Sequence, residues 1–188
     1  DRYYLMKYDV ATGLSERLTY GSHNVYLNDI SPDGKKLLCS TSKPDITRCP
    51  FSLSSLFEID LATLQADTLV AWDAYLGSAS YSPDGKQLLV TGSPSAFGGI
   101  GKNCGEHPIA NDFDTQAFIM DLATKKVQAI TRDFNPTVSP VQWNRVDGCI
   151  YFDTTDGDCR HIYRYVPKTG GFEMLPLEED VITSFTLA

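Results

Sequence analysis

The chain has 188 residues, 42% hydrophobic and 21% charged, the balance of an ordinary globular domain or a portion of one. Its net charge of −8 argues against nucleic acid, because reading phosphates takes a basic face, and acidity of this size reports solubility rather than a cationic substrate. No apolar run approaches the roughly 18 residues that a membrane-spanning helix needs.

The first element, "LMKYDVATGLSERLT" at Leu5–Thr19, reads as two short alternating runs joined by a turn at Asp9–Thr12. Aspartate and threonine so placed can bond backbone N–H groups and cap the turn. A hairpin of another kind follows, "VYLNDI" and "KKLLCSTS" around Ser31-Pro32-Asp33-Gly34. Proline presets φ at the second turn position, aspartate suits the third, and glycine accepts the positive φ after it. The two motifs then alternate. "SLFEIDLATLQADTLVA" repeats the first around Asp60 and Thr63, and "LGSASYSPDGKQLLVTG" repeats the second around Ser82–Gly85. "QAFIMDLATKKVQAIT" brings the first again at Asp121 and Thr124. "VQWNRVDGCIYFDTT" is a degenerate second motif turning at Asp147-Gly148, with Trp143 where Ile30 and Tyr81 stood. "HIYRYVPKTGGFEMLPL" closes the series, with Thr169 matching the earlier threonines. No segment sustains a 3.6-residue apolar period, so helices are expected to be nearly absent.

Two hairpins per unit make four strands per unit, and four-stranded units recurring every ~40–60 residues mark a β-propeller. The expectation is therefore an all-β fold, a partial β-propeller of about three to four four-stranded antiparallel blades. The units run over 1–20 (partial), 21–72, 73–133 and 134–180, with a last strand over 181–188. Closed propellers typically have about four to eight blades, and natural sheets avoid exposed edges. Residues 1–188 thus read as a fragment of one β-propeller domain whose open blade edges invite self-association. A small β-sandwich of regular hairpins is the rival.

The longest interruption is Ser93–Thr115, "SPSAFGGIGKNCGEHPIANDFDT", and a loop of this length is usually functional or disordered rather than a mere connector. Its "GGIGKN" is not a phosphate loop, since Lys102 precedes Asn103 rather than serine or threonine and no helix follows. Cys104, Glu106, His107, Asp112 and Asp114 are all metal-ligand types, but their spacing fits no zinc pattern, and a polar surface loop is the expectation. No cofactor is called for. His23 and His161 flank strands and read as structural, and "FDTTDGDC" lacks the order of a calcium loop. Trp143, Tyr81 and Phe118 fall in strand alternation and read as core. Of the five cysteines, Cys39 aligns with Val90 and reads as a small buried hydrophobe, while a Cys39–Cys49 bridge across a loop stays open. No Gly-x-Ser-x-Gly occurs, so this stretch by itself is not expected to catalyse anything.

"SPDGKKLL" with "LFEIDLATLQADTL", and "SPDGKQLLVTGSPSAFGGIGKN" with "FIMDLATKKVQAIT", resemble the propeller of the prolyl oligopeptidase family of serine peptidases, nearest the bacterial dipeptidyl peptidase IV-like branch. The S-P-D-G hairpin also resembles the TolB-like propellers of periplasmic scaffolds, which bind proteins without enzymatic activity. The first resemblance implies a non-catalytic propeller segment gating peptide access to an α/β-hydrolase domain of the same parent chain, outside this sequence. It implies peptide as the substrate and a periplasmic or otherwise exported setting; charge and hydropathy, as above, give no part to nucleic acid or membrane. Lys102, Asn103, Glu106 and His107 become the candidate substrate contacts, on the loop best placed to reach the chamber. Glu178-Glu179 lies at a blade edge rather than in a long insertion, so the family's amino-terminus-binding role is not carried to it.

Overall fold

In the computed structural model, which describes residues 2–105, 111–134 and 136–187, Ser31–Gly34 closes by the chemistry its residues offer. The Ser31 hydroxyl donates to Asp33 Oδ1 at 2.7 Å and accepts the Lys36 amide at 2.9 Å, while the Gly34 amide donates to the Ser31 carbonyl at 2.8 Å. Ser82–Gly85 repeats the same three bonds at 2.7, 2.9 and 2.9 Å. Gly34 and Gly85 sit at φ 70° and 69°, a region that costs side-chain-bearing residues energy.

The other turn is as regular. Asp60 Oδ1 accepts the Thr63 amide at 2.8 Å and its hydroxyl at 3.1 Å, and Asp121 holds Thr124 at 2.8 and 2.7 Å. Asp9 accepts the Thr12 amide at 2.8 Å. Where Val166 replaces the aspartate, a backbone bond from the Gly170 amide to the Val166 carbonyl at 2.9 Å keeps the turn.

Among the described residues these turns give an isolated hairpin and three four-stranded antiparallel sheets. The hairpin pairs β1 (Met6–Tyr8) with β2 (Ser15–Arg17). The first sheet runs β3 (Val25–Ile30), β4 (Lys36–Pro44), β5 (Ser52–Asp60), β6 (Ala66–Asp73). The second runs β7 (Leu76–Tyr81), β8 (Gln87–Gly92), β9 (Gln116–Asp121), β10 (Val127–Ala129). The third runs β11 (Thr137–Trp143), β12 (Ile150–Asp156), β13 (Cys159–Val166), β14 (Gly171–Met174). In each sheet neighbours in sequence are neighbours in space, which makes each a blade, as the repeat implies. One turn at Ala96–Gly99 is the only helical element among the described residues.

Blades stack because their middle strands are apolar on both faces. Leu88 and Val90 of β8 join Leu38, Leu56 and Phe118 in one core, while Leu89 joins Ile150 and Phe152 in the next. Each such side chain contributes on the order of 1.5–3 kcal/mol by leaving water. The hairpin covers the first blade through Leu5 and Leu18, which lie on Leu37, Cys39 and Ile59. Cys39 is buried as Val90 is, and burial pushes its thiol up to about 12. Cys49 is exposed, and the open Cys39–Cys49 bridge is not formed, since the two thiols are free.

One interface between blades is polar. Buried Glu58 takes the Lys36 ammonium at 2.9 Å and the Tyr81 hydroxyl at 2.7 Å, and Asp29 Oδ2 accepts the Tyr81 amide at 2.8 Å. At the carboxyl end, Val181 makes a single parallel bridge to Arg160, and the described residues beyond it carry no strand. The Arg160 amide donates to the Asp180 carbonyl at 2.8 Å, so this tail lies along the third blade.

Candidate functional site

The Ser93–Thr115 loop leaves β8 and returns into β9 at the end of the blade opposite the S-P-D-G turns. Its first half is tightly built. Phe97, Gly98 and Gly99 follow one another at φ 54°, 74° and 86°, and Phe97 packs edge-on against core Phe118, ring centroids 5.1 Å apart. The glycine-rich run makes a left-handed turn here and does not open a longer helix whose N-terminus could hold a phosphate.

Asp73, where β6 passes into β7, holds this turn. Its Oδ2 accepts the Phe97 amide at 2.7 Å and its Oδ1 accepts the Tyr75 amide at 2.8 Å. Its neighbour Trp72 lies at φ 47°, with the Lys43 ammonium 4.1 Å from the ring centroid and His23 edge-on to it. Two aromatic residues in left-handed backbone flank one clamping carboxylate. Such strain persists only where the surroundings over-determine it, and it gathers at functional sites.

Beside the clamp lies a cavity of about 620 Å³. Pro50, Tyr75 and Leu76 give it an apolar wall, Asp112 and Asp114 a carboxylate wall, and Phe113 stands at its rim, 98% exposed. Its floor is the β7–β8 pair at Gly77, Thr91 and Gly92. A Cβ at Gly77 would come within 2.6 Å of Thr91 Oγ1, and one at Gly92 within 2.8 Å of the Tyr75 carbonyl, so the floor admits no side chain. The Ser93 hydroxyl donates to Asp112 Oδ1 at 3.1 Å, and Asn111 Nδ2 donates to Asp114 Oδ1 at 3.0 Å.

Asp114 also lines a second hollow of about 350 Å³ toward the third blade, with Asn103, Asn111, Gln116 and Arg132. Gln116 Oε1 is buried there without a hydrogen-bond partner among the described residues. An acceptor left so costs about 1–3 kcal/mol until a donor arrives. The loop therefore divides an apolar and acidic hollow from an amide-rich one.

Of the residues chosen from sequence, Asn103 lines the second hollow. Lys102 is exposed, its amide bonded to the Gly99 carbonyl at 3.1 Å and its stem lying over Gly99. Glu106 and His107 lie outside the described residues. Among the described residues no three His, Cys, Asp or Glu side chains gather to hold a metal, and two members of the loop's ligand-type set are those same Glu106 and His107. His23 meets Trp72, and His161 belongs to β13. The sequence reading missed Asp73, Tyr75, Leu76 and Phe113. Asp73-Ala74-Tyr75 carried the one available signal, an aspartate two residues before an amide it can cap.

No protein-family model matches the chain, and no curated protein matches it in sequence. Solved structures do. TolB from Acinetobacter baumannii aligns at TM-score 0.61 and 21% identity, over 93% of this chain and 37% of its own. Oligogalacturonate lyase from Vibrio parahaemolyticus aligns at 0.68 and 17%, over 93% and 48%. The β-propeller domain of the trilobed protease from Pyrococcus furiosus aligns at 0.54 and 17%, over 93% and 48%. The chain thus spans under half the length of each. Identities this low speak to fold alone, and they agree with the sheets and the repeat: the chain is a run of β-propeller blades.

Proposed function

We propose that the chain is a non-catalytic propeller segment of a serine peptidase of the prolyl oligopeptidase family, dipeptidyl peptidase IV-like, gating peptide access to an α/β-hydrolase domain outside it. The observation that carries this reading is the paired hollow at one end of the blades, about 620 and 350 Å³, walled by the inserted loop. A chamber that excludes water and selects by size favours peptide hydrolysis, and a loop at a blade end is where a propeller would meet its substrate. The likeness to the trilobed protease propeller supports it. Lys102, Asn103, Glu106 and His107 are the proposed substrate contacts on that loop. The hydrolase domain and the peptide are its partners, the open blade edges a surface for self-association, and an exported compartment its setting.

Fluorophosphonate labelling of the full-length protein beside this 188-residue chain tests the reading. The parent labels and the chain does not. Alanine at the four loop positions in the parent then lowers kcat/KM on a peptide panel. The likeness to TolB, together with the S-P-D-G hairpin, favours a second reading, a TolB-like protein-binding propeller without enzymatic activity. A parent that takes no label selects it.

A further inference from the structure

We propose that the 620 Å³ cavity is a subsite for a cation carried on an apolar stem, the ammonium or guanidinium of a lysine or arginine side chain in a bound peptide. Taking the cation from a peptide rests on the gating function proposed above; the selectivity itself does not. Among the described residues lining the cavity there is no lysine, arginine or histidine, and the only carboxylates are those of Asp112 and Asp114. Against the described lining, a ligand bearing carboxylate or phosphate would meet two like charges and no counter-charge. A neutral apolar ligand would strip water from both carboxylates and return nothing to them. A cationic head on a methylene stem answers both walls, its stem against Pro50, Tyr75 and Leu76 and its head toward the aspartates.

Each carboxylate is held by one donor and keeps capacity for another. Ser93 and Asn111 bond the Oδ1 atoms, and among the described residues neither Oδ2 receives a hydrogen bond. Between them Phe113 is 98% exposed, an aromatic ring with almost no protein packing. A ring in that position offers a face to the stem or to the cation. The Asp73 clamp and the glycine floor fix the opposite side, so little ordering is needed on binding.

The test is calorimetric titration of the 188-residue chain with end-blocked tripeptides, acetyl-Leu-X-Leu-amide, where X is lysine, norleucine or glutamate. The lysine peptide binds about tenfold more tightly than the other two, the worth of a charge-assisted hydrogen bond in a partly desolvated site. Asp112→Asn with Asp114→Asn removes that preference and leaves the norleucine peptide's affinity unchanged. The chain stays strongly acidic in this variant, so general attraction would have survived. Asp112→Lys with Asp114→Lys turns the preference toward glutamate. A norleucine peptide with a free amino terminus separates the sources: equal binding with lysine overturns the side-chain assignment, and weak binding supports it. Equal affinity for lysine and norleucine, or a lysine preference that survives the double Asn variant, overturns the proposal. These readouts are independent of fluorophosphonate labelling, so the subsite and the peptidase reading fail separately.

Discussion

Gly34 and Gly85 have the same backbone and different surroundings, which separates two costs usually measured together. Nothing lies within 4 Å of a Cβ built on Gly34, whereas one on Gly85 meets Pro32 Cδ of the neighbouring blade's turn at 3.2 Å. Gly34→Val is expected to destabilise by about 1–3 kcal/mol through positive φ alone. Gly85→Val adds a crowded contact between blades and should melt lower than Gly34→Val; equal melting temperatures would show that the two turns do not touch in solution. The aspartates of the turns make a second claim at this scale. Asp33 and Asp84 are held below the usual carboxylate range by their serine hydroxyls, Asp60 by the Thr63 amide, and Asp121 by the Thr124 hydroxyl. A carboxyl lowered in the folded state stabilises fully above its unfolded value and loses that contribution as pH falls through the folded value. The turns' contribution to stability is therefore constant near neutrality and declines below about pH 4. Asp60→Asn with Asp121→Asn should flatten the acid limb of melting temperature against pH, and an unaltered slope would remove these turns from the account. Both turn types were legible in sequence because their bonds join residues at most five apart.

Interfaces between blades were half legible. The apolar cores follow from "KKLLCS" and "KQLLVT", whose alternate residues face opposite neighbours. The Glu58 link does not, because Lys36 and Tyr81 lie 22 and 23 residues from it and nothing within "LFEID" marks the glutamate as buried. The next interface supplies a natural control. Gln87, Ile119 and Trp143 take the places of Lys36, Glu58 and Tyr81, and Ile119 is buried there as Glu58 is here. The fold therefore does not require an ion pair at this locus. Truncating one partner still costs, since Tyr81→Phe leaves a buried carboxylate oxygen without its donor, on the order of 1–3 kcal/mol. Transplanting the whole uncharged set, Lys36→Gln with Glu58→Ile and Tyr81→Trp, is expected to keep or raise the melting temperature. A triple variant no better than Tyr81→Phe would mean that the polar link sets the angle between the first two blades.

Across the whole molecule the sequence singled out one loop but not what it encloses. Ser93–Thr115 stood out by length alone, yet the cavity beside it is finished by Pro50 and Tyr75, which arrive from other connections of the first two blades. A wall assembled from segments so far apart leaves no pattern in any one of them. The same architecture distributes stability unevenly. The middle blade has a neighbour on each side, and β8 and β9 bury residues toward both, whereas β1 and β2 have only three residues each and bury almost nothing. Around that hairpin Tyr4, Tyr8, Val10, Leu14 and Tyr20 are exposed, with Arg17 stacked on the Tyr4 and Tyr20 rings. In a stack where each repeat leans on its neighbours, opening starts where the fewest side chains are buried. Amide exchange should therefore be slowest at Leu88–Thr91 and Ala117–Met120, limited by global unfolding. The amides of Met6–Tyr8 and Ser15–Arg17 should exchange by local fraying, at rates that barely change when a core residue such as Leu88 is truncated. If the hairpin instead slows and quickens together with β8, the blades open as one cooperative unit, and the exposed tyrosines belong to a surface as firmly held as the core.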